Sequence, residues 1–156
     1  MLDQEIHPGI GIGDVILGLT MDEARKCIGE PDKVEIAEFS NVGETDYEWT
    51  YSHLELELSF CQDDHYRLGS IASRSAQVIF EGARLIGLSE VELSALELPV
   101  HGSPQLDSTH DPFGRDYIWD EAMVSCWVSD GVVTYVTVMP HYEDDDDTVI
   151  WPDRAT

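Results

Sequence analysis

Cys61 and His65 stand four residues apart, the one place along the chain where a thiol and an imidazole come close in sequence. Such a pair is how a thiolate nucleophile is made, provided the imidazole can take the thiol proton. The pattern stops there. No Gly-x-Ser-x-Gly elbow occurs, and Cys27, Cys61 and Cys126 form no Cys-x-x-Cys pair. His7, His53, His65, His101, His110 and His141 form no His-x-x-x-His, so a structural zinc site is not expected. Cys27 falls on the apolar face of a predicted helix and is expected to pack in the core. The acidic run Glu143-Asp144-Asp145-Asp146-Asp147 lacks the alternating oxygens and central glycine of an EF-hand loop. Gly9, Gly11 and Gly13 form a Gly-x-Gly-x-Gly array, but without the Lys-Ser/Thr of a P-loop or the dinucleotide spacing it reads as a tight entry loop. Carboxylate pairs are too numerous to single out an acid and a base. No catalytic residue, no metal and no cofactor is therefore expected.

What the carboxylates do establish is a field. The chain has 32 acidic residues against 8 basic ones, a net charge of −24. The excess is spread evenly, with 16 acids and 5 bases in residues 1–80 (−11) and 16 acids and 3 bases in residues 81–156 (−13). A surface of this sign repels nucleic acid and anionic membranes and attracts basic proteins. Adaptation to a salt-rich habitat, or plain solubility, would give the same composition. Hydrophobic residues make up 42% of the chain, which excludes wholesale disorder. The N-terminus has neither a basic region nor an apolar run, and no segment has the length of a membrane span, so the expected location is cytoplasmic. Three scattered cysteines fit reduced thiols.

The elements that would position any site recur along the chain. Leu17-Gly18-Leu19-Thr20-x-x-Glu23 returns 69 residues later as Ile86-Gly87-Leu88-Ser89-x-x-Glu92, and Asp46-Tyr47-Glu48-Trp49 returns 70 later as Asp116-Tyr117-Ile118-Trp119. Thr20…Glu23 and Ser89…Glu92 are capping boxes that open short helices; Pro31 and Pro99 lie beyond them. Tyr47, Trp49 and Tyr51, then Leu54, Leu56 and Leu58, alternate with polar residues as half-buried strands do. Val124, Cys126 and Val128 repeat that alternation 70 residues on from Leu54, Leu56 and Leu58. Ser129-Asp130-Gly131 is a hairpin turn signal. Asp32–Thr45 and Gly102–Gly114 read as loops, Gly69–Ser75 and Gln77–Phe80 as return strands, and Phe80–Arg84 as a linker. The expected architecture is α+β: a tandem duplication of a short helix followed by a three- or four-stranded antiparallel sheet, with units at 1–80 and 81–156, the second carrying the acidic tail, and the two sheets either packed together or continuous in one compact body. Trp49 and Trp119, at equivalent positions, are expected in the core. Trp127 falls out of phase with its buried neighbours and is a candidate anchor on an otherwise polar face.

The string Leu17-Gly18-Leu19-Thr20-x-x-Glu23-Ala24, followed by Ile28-Gly29-Glu30-Pro31 and by Tyr47-x-Trp49-x-Tyr51, resembles the helix-opening motif of BamE-like and β-lactamase-inhibitor-protein-like modules. The resemblance covers both halves in outline and implies protein binding. There is no lipobox cysteine, and the cysteine usage is not that of a disulfide-bonded secreted inhibitor, so β-lactamase inhibition is not carried over. In size, acidity and lack of catalytic motifs the chain is similar to bacterial toxin immunity proteins.

These observations favour an inhibitor or immunity protein for a basic toxin or nuclease domain, acting by steric blocking and electrostatic complementarity. The expected contacts are Glu55 and Glu57, Asp63 and Asp64, Trp127, and the run Glu143, Asp144, Asp145, Asp146 and Asp147. A non-inhibitory assembly module of the BamE-like sort is the alternative, and an enzyme with an unrecognised carboxylate and histidine site is the third reading.

Overall fold

The computed structural model describes residues 3–39 and 44–152. Residues 40–43, in the stretch read as a loop from Asp32 to Thr45, lie outside the described residues, as do Met1 and Leu2 of the N-terminus. Three two-residue strands, β1 (Ile6–His7), β2 (Gly11–Ile12) and β3 (Val15–Ile16), open the chain as a small antiparallel sheet. The glycine array serves these turns: Gly13 has φ +56, and a Cβ there would collide with the Asp3 carbonyl. Helix α1 (Met21–Ile28) follows, then β4 (Lys33–Phe39), β5 (Glu44–Tyr51), β6 (Leu56–Cys61) and β7 (Leu68–Ser73). A short hairpin, β8 (Ile79–Phe80) and β9 (Ala83–Arg84), leads to helix α2 (Glu90–Ala95). Then come β10 (Gln105–His110), β11 (Gly114–Trp119), β12 (Val124–Ser129) and β13 (Val132–Val138), and last a hairpin of β14 (His141–Tyr142) and β15 (Val149–Ile150).

The expected α+β tandem is overturned. Of the described residues 47% are in strands and 12% are helical, and the helices number two, of eight and six residues. The organising element is one antiparallel sheet of eight strands in the order β10-β11-β12-β13-β7-β6-β5-β4. At its centre β13 pairs with β7 through Val136↔Ser73, Thr137↔Ala72 and Val138↔Ile71. Both segments read as loops supply edge strands: β4 from 32–45 and β10 from 102–114. The segment read as a linker is the β8–β9 hairpin, turned at Glu81 and Gly82 with φ +49 and +83.

Register corrects the 70-residue correspondence as well. Trp49 sits opposite Leu58 and Trp119 opposite Val124, so equivalent positions past this hairpin are 66 apart. The second hairpin is four residues shorter. An even shift preserves the face of a strand, which is why alternation alone hid it.

One face of the sheet is core. Trp49, Tyr51, Leu58, Phe60, Leu68, Ile71, Trp119, Val124, Cys126, Val136 and Val138 are all buried there with Leu17, Val78, Phe80, Leu85 and Leu93 from the covering segments. Trp49 and Trp119 are thus in the core, packed on Phe60 and Phe80 with ring centroids 4.7 and 5.3 Å apart. Both helices carry the capping boxes: Glu23 N–H donates to Thr20 Oγ1 and Glu92 N–H to Ser89 Oγ. Helix α1 buries Ala24 and lays Arg25 over the Trp49 ring at 4.7 Å. Cys27, in contrast to expectation, is exposed at the helix surface. It lies on the flank of the packed face, its thiol 3.5 Å from the Asp14 carbonyl, while Ala24 and the partly buried Met21 and Ile28 make the contact with the core.

Candidate functional site

The opposite face of the sheet remains accessible. Strand alternation places Glu48 of β5, Glu57 and Ser59 of β6, Ala72 of β7, Tyr135 and Thr137 of β13, Trp127 of β12, and Asp116 and Ile118 of β11 on it. A row of side chains runs from the end of β10 across β12 and β13 to the end of β7. His110 lies 5.7 Å from the Trp127 ring, Trp127 stacks on Tyr135 at 6.1 Å and 18°, and the Arg74 guanidinium lies 5.1 Å from the Tyr135 ring centre. Arg74 then reaches Glu57 at 3.6 Å. The β12–β13 turn at Asp130–Gly131 and a bulge between Trp127 and Val128 together bring Tyr135 opposite Trp127. Gly114 allows the indole to lie flat: a Cβ there would stand 2.7 Å from Trp127 Cζ2.

Carboxylates border this row. Asp116 is directly opposite Trp127, as Asp46 is opposite Cys61 in the other half of the sheet. Partial burial raises the Asp116 carboxyl above its ordinary value, and Asp107 adds to the shift. Glu48 faces Glu35 across β4–β5. Burial also raises Glu48, against the Ser59 hydroxyl that donates to it at 2.8 and 2.9 Å, with Glu57, Asp46 and Glu35 reinforcing the rise. The face therefore holds flat aromatic surface, the Arg74 guanidinium and several carboxylates that an incoming positive charge would stabilise.

The expected contact residues fall in several places. Trp127 and Glu57 belong to the row just described. Glu55 is not on a strand; it holds a left-handed turn conformation, φ +56, before β6, and lines a shallow cleft with Glu57 and Arg74. Asp63 and Asp64 sit in a 3-10 turn after β6 and share a cleft of about 490 Å³ with His65, Arg67, Asp147 and Trp151. Burial, with Asp63 and Asp46 nearby, raises Asp64. The acidic run is the ordered loop of the β14–β15 hairpin: Asp145 accepts from Asp147 N–H, Thr148 N–H and the Thr148 hydroxyl, which lowers its carboxyl. Trp151 beyond it packs against the core. Sequence reading missed His110, Tyr135, Arg74, Glu48 and Asp116.

The chemical candidates resolve differently. Burial, then Asp46 and Asp64, pushes the Cys61 thiol up to about 12, so it is no thiolate at neutral pH. Burial pushes Cys126 to about 12 as well. His101 Nδ1 lies 2.8 Å from Glu81 beside a cleft of about 360 Å³. Glu81 also accepts from the backbone N–H groups of Val100 and His101, so the contact clips the 97–102 loop to the β8–β9 hairpin. Asp3, Glu5 and His7 bring ligand atoms within 4.8 Å of one another and could hold a metal ion; Asp3 already accepts from Glu5 N–H at 2.9 Å. Among the described residues no helix is long and apolar enough to cross a membrane. No protein-family model, curated protein or solved structure matches the chain.

Proposed function

We propose that the chain is a protein-binding inhibitor, an immunity protein in the cytoplasm that docks a basic toxin or nuclease domain on the open face of its eight-stranded sheet and covers that partner's active site. The observation that carries this reading is the His110–Trp127–Tyr135–Arg74 row on the open face, flanked by Asp116, Glu57 and Glu48. Aromatic rings are effective anchors because they bring much apolar area at little conformational cost, and a charged border steers the encounter. The net charge of −24 gives that steering its sign. The partner's lysines and arginines would neutralise carboxylates that the fold already holds above their ordinary range.

Co-expression with the product of the neighbouring reading frame tests the reading. The expected result is a complex at low salt in which that product's toxic or enzymatic activity is suppressed at equal stoichiometry. Trp127→Ala should weaken the complex by about 2 kcal/mol, the scale of an interface hot spot. A neighbour without such an activity, together with no basic partner recovered at low salt, would sink the idea.

A further inference from the structure

We propose that the free edge of β4 takes up an extended, basic segment of a partner protein as a ninth strand of the sheet. It shares with the reading above the sign of the partner's charge and the Glu48 carboxylate, but it uses the backbone edge of β4 in place of the aromatic row. β4 pairs with β5 in unbroken register from Lys33↔Thr50 to Phe39↔Glu44, and it ends the sheet, so among the described residues its outer edge carries backbone donors and acceptors with no strand partner. Such an edge is a template for another strand unless something blunts it. The opposite edge is blunted: β10 is interrupted by a bulge between Leu106 and Ser108. β4 has no bulge.

The two faces of β4 say what would fit. Val34 and Ile36 lie on the core side, opposite Trp49 and Tyr47, yet remain 47% and 56% exposed because the covering layer stops short of them. Lys33, Glu35 and Ala37 lie on the open side. There Glu35 is directly opposite Glu48, a like-charged cross-strand pair, with Glu57 and Asp46 close enough to act on Glu48. Like charges placed opposite destabilise a sheet. Lys33 offsets only part of this by bridging Glu35 at 2.6 Å. An added strand with apolar side chains on one face and lysines or arginines on the other would cover Val34 and Ile36 and neutralise Glu35 and Glu48 together. A second copy of this chain does not fit, since an antiparallel pair centred on Ile36 would join two molecules of charge −24 and place acidic strand against acidic strand.

The probe is a capped nine-residue peptide of alternating lysine and valine, labelled for fluorescence anisotropy at low ionic strength. Two further peptides are N-methylated, one at every lysine and one at every valine. In an extended strand alternate N–H groups point the same way, so an edge contact uses one set and ignores the other. The expected result is that one methylated peptide loses affinity at least about tenfold and the other stays near the parent, a tenfold loss being the size of one or two hydrogen bonds. Glu35→Lys, at an exposed position, should weaken the parent peptide, and Trp127→Ala should leave it unchanged. Equal binding by both methylated peptides would mean charge attraction alone and overturn the proposal. Loss of peptide binding in Trp127→Ala, or dimerisation of the chain through β4 in sedimentation, would overturn it too. Because the peptide test does not involve the open-face row, its failure leaves the inhibitor reading standing, and the converse holds.

Discussion

Glu90, at the start of α2, accepts hydrogen bonds from the Tyr117 hydroxyl and from Arg115 Nη1 at 3.0 Å. Those bonds, Tyr117's first, lower its carboxyl below the ordinary 4.5. Glu48, on the open face, is raised by burial and by its acidic neighbours. The two therefore act on stability in opposite senses. A lowered carboxyl stabilises the fold above its unfolded value, and that contribution disappears as pH falls through the folded value. Glu90→Gln should accordingly lower stability by about 1 kcal/mol at pH 7, with the gap to the parent closing as pH drops below the carboxylate range. A raised carboxyl favours the fold only while protonated, so its contribution is lost as pH rises through the folded value. Glu48→Gln should raise stability at pH 7, by no more than about 0.5 kcal/mol since its carboxyl is only partly buried and solvent screens it, and should be neutral in acid. Melting curves of the two variants from pH 3 to 7 check both signs.

At the scale of elements, the strands that bury one face were legible and the edge strands were not. β5, β6 and β12 announce themselves by alternating apolar and polar residues, because one side of each meets the core. β10 has no covered side along most of its length, so Gln105–His110 carries too weak an alternation to be told from loop, whereas Lys33-Val34-Glu35-Ile36 of β4 does alternate, but for four residues only. The same limit hid part of the open-face row. Folding the chain about Asp130–Gly131 puts Thr134 opposite Trp127; only the bulge brings Tyr135 there, and a bulge leaves no composition signal. His110 was invisible because its strand was, and Arg74 because it follows the end of β7. Trp127 was legible, since its phase against Val124, Cys126 and Val128 is a property of the sequence. The decision between two packed sheets and one continuous sheet rests on the β13–β7 pairing, which joins segments more than 60 residues apart. Ile71, fully buried and paired with both Val138 and Leu58, sits at that junction. Ile71→Ala should cost about 2–5 kcal/mol. Urea unfolding followed by tryptophan fluorescence and by circular dichroism should still give coincident transitions, because Trp49 and Trp119, on opposite sides of the junction, share the one core cluster.

The whole molecule carries −24 charges on a chain of 156 residues, and two consequences of that number can be separated. Self-repulsion among the carboxylates destabilises the compact state, and added salt screens it over a Debye length that falls to about 10 Å at 0.1 M. The melting temperature of the isolated chain should therefore rise between 0.02 M and 0.5 M sodium chloride. Association with a basic partner moves the other way, since the same screening removes the long-range attraction that speeds encounter. The on-rate should fall steeply over that range while the off-rate, set by short-range contacts such as those of Trp127 and Tyr135, changes little. Stopped-flow measurement of the complex across the salt series, beside melting curves of the free chain, separates the cases. A rising melting temperature with an on-rate indifferent to salt would mean that the acidity serves the protein's own solvation and not a partner. Rising stability with a falling on-rate is the outcome expected of a surface whose carboxylates are held ready for positive charge.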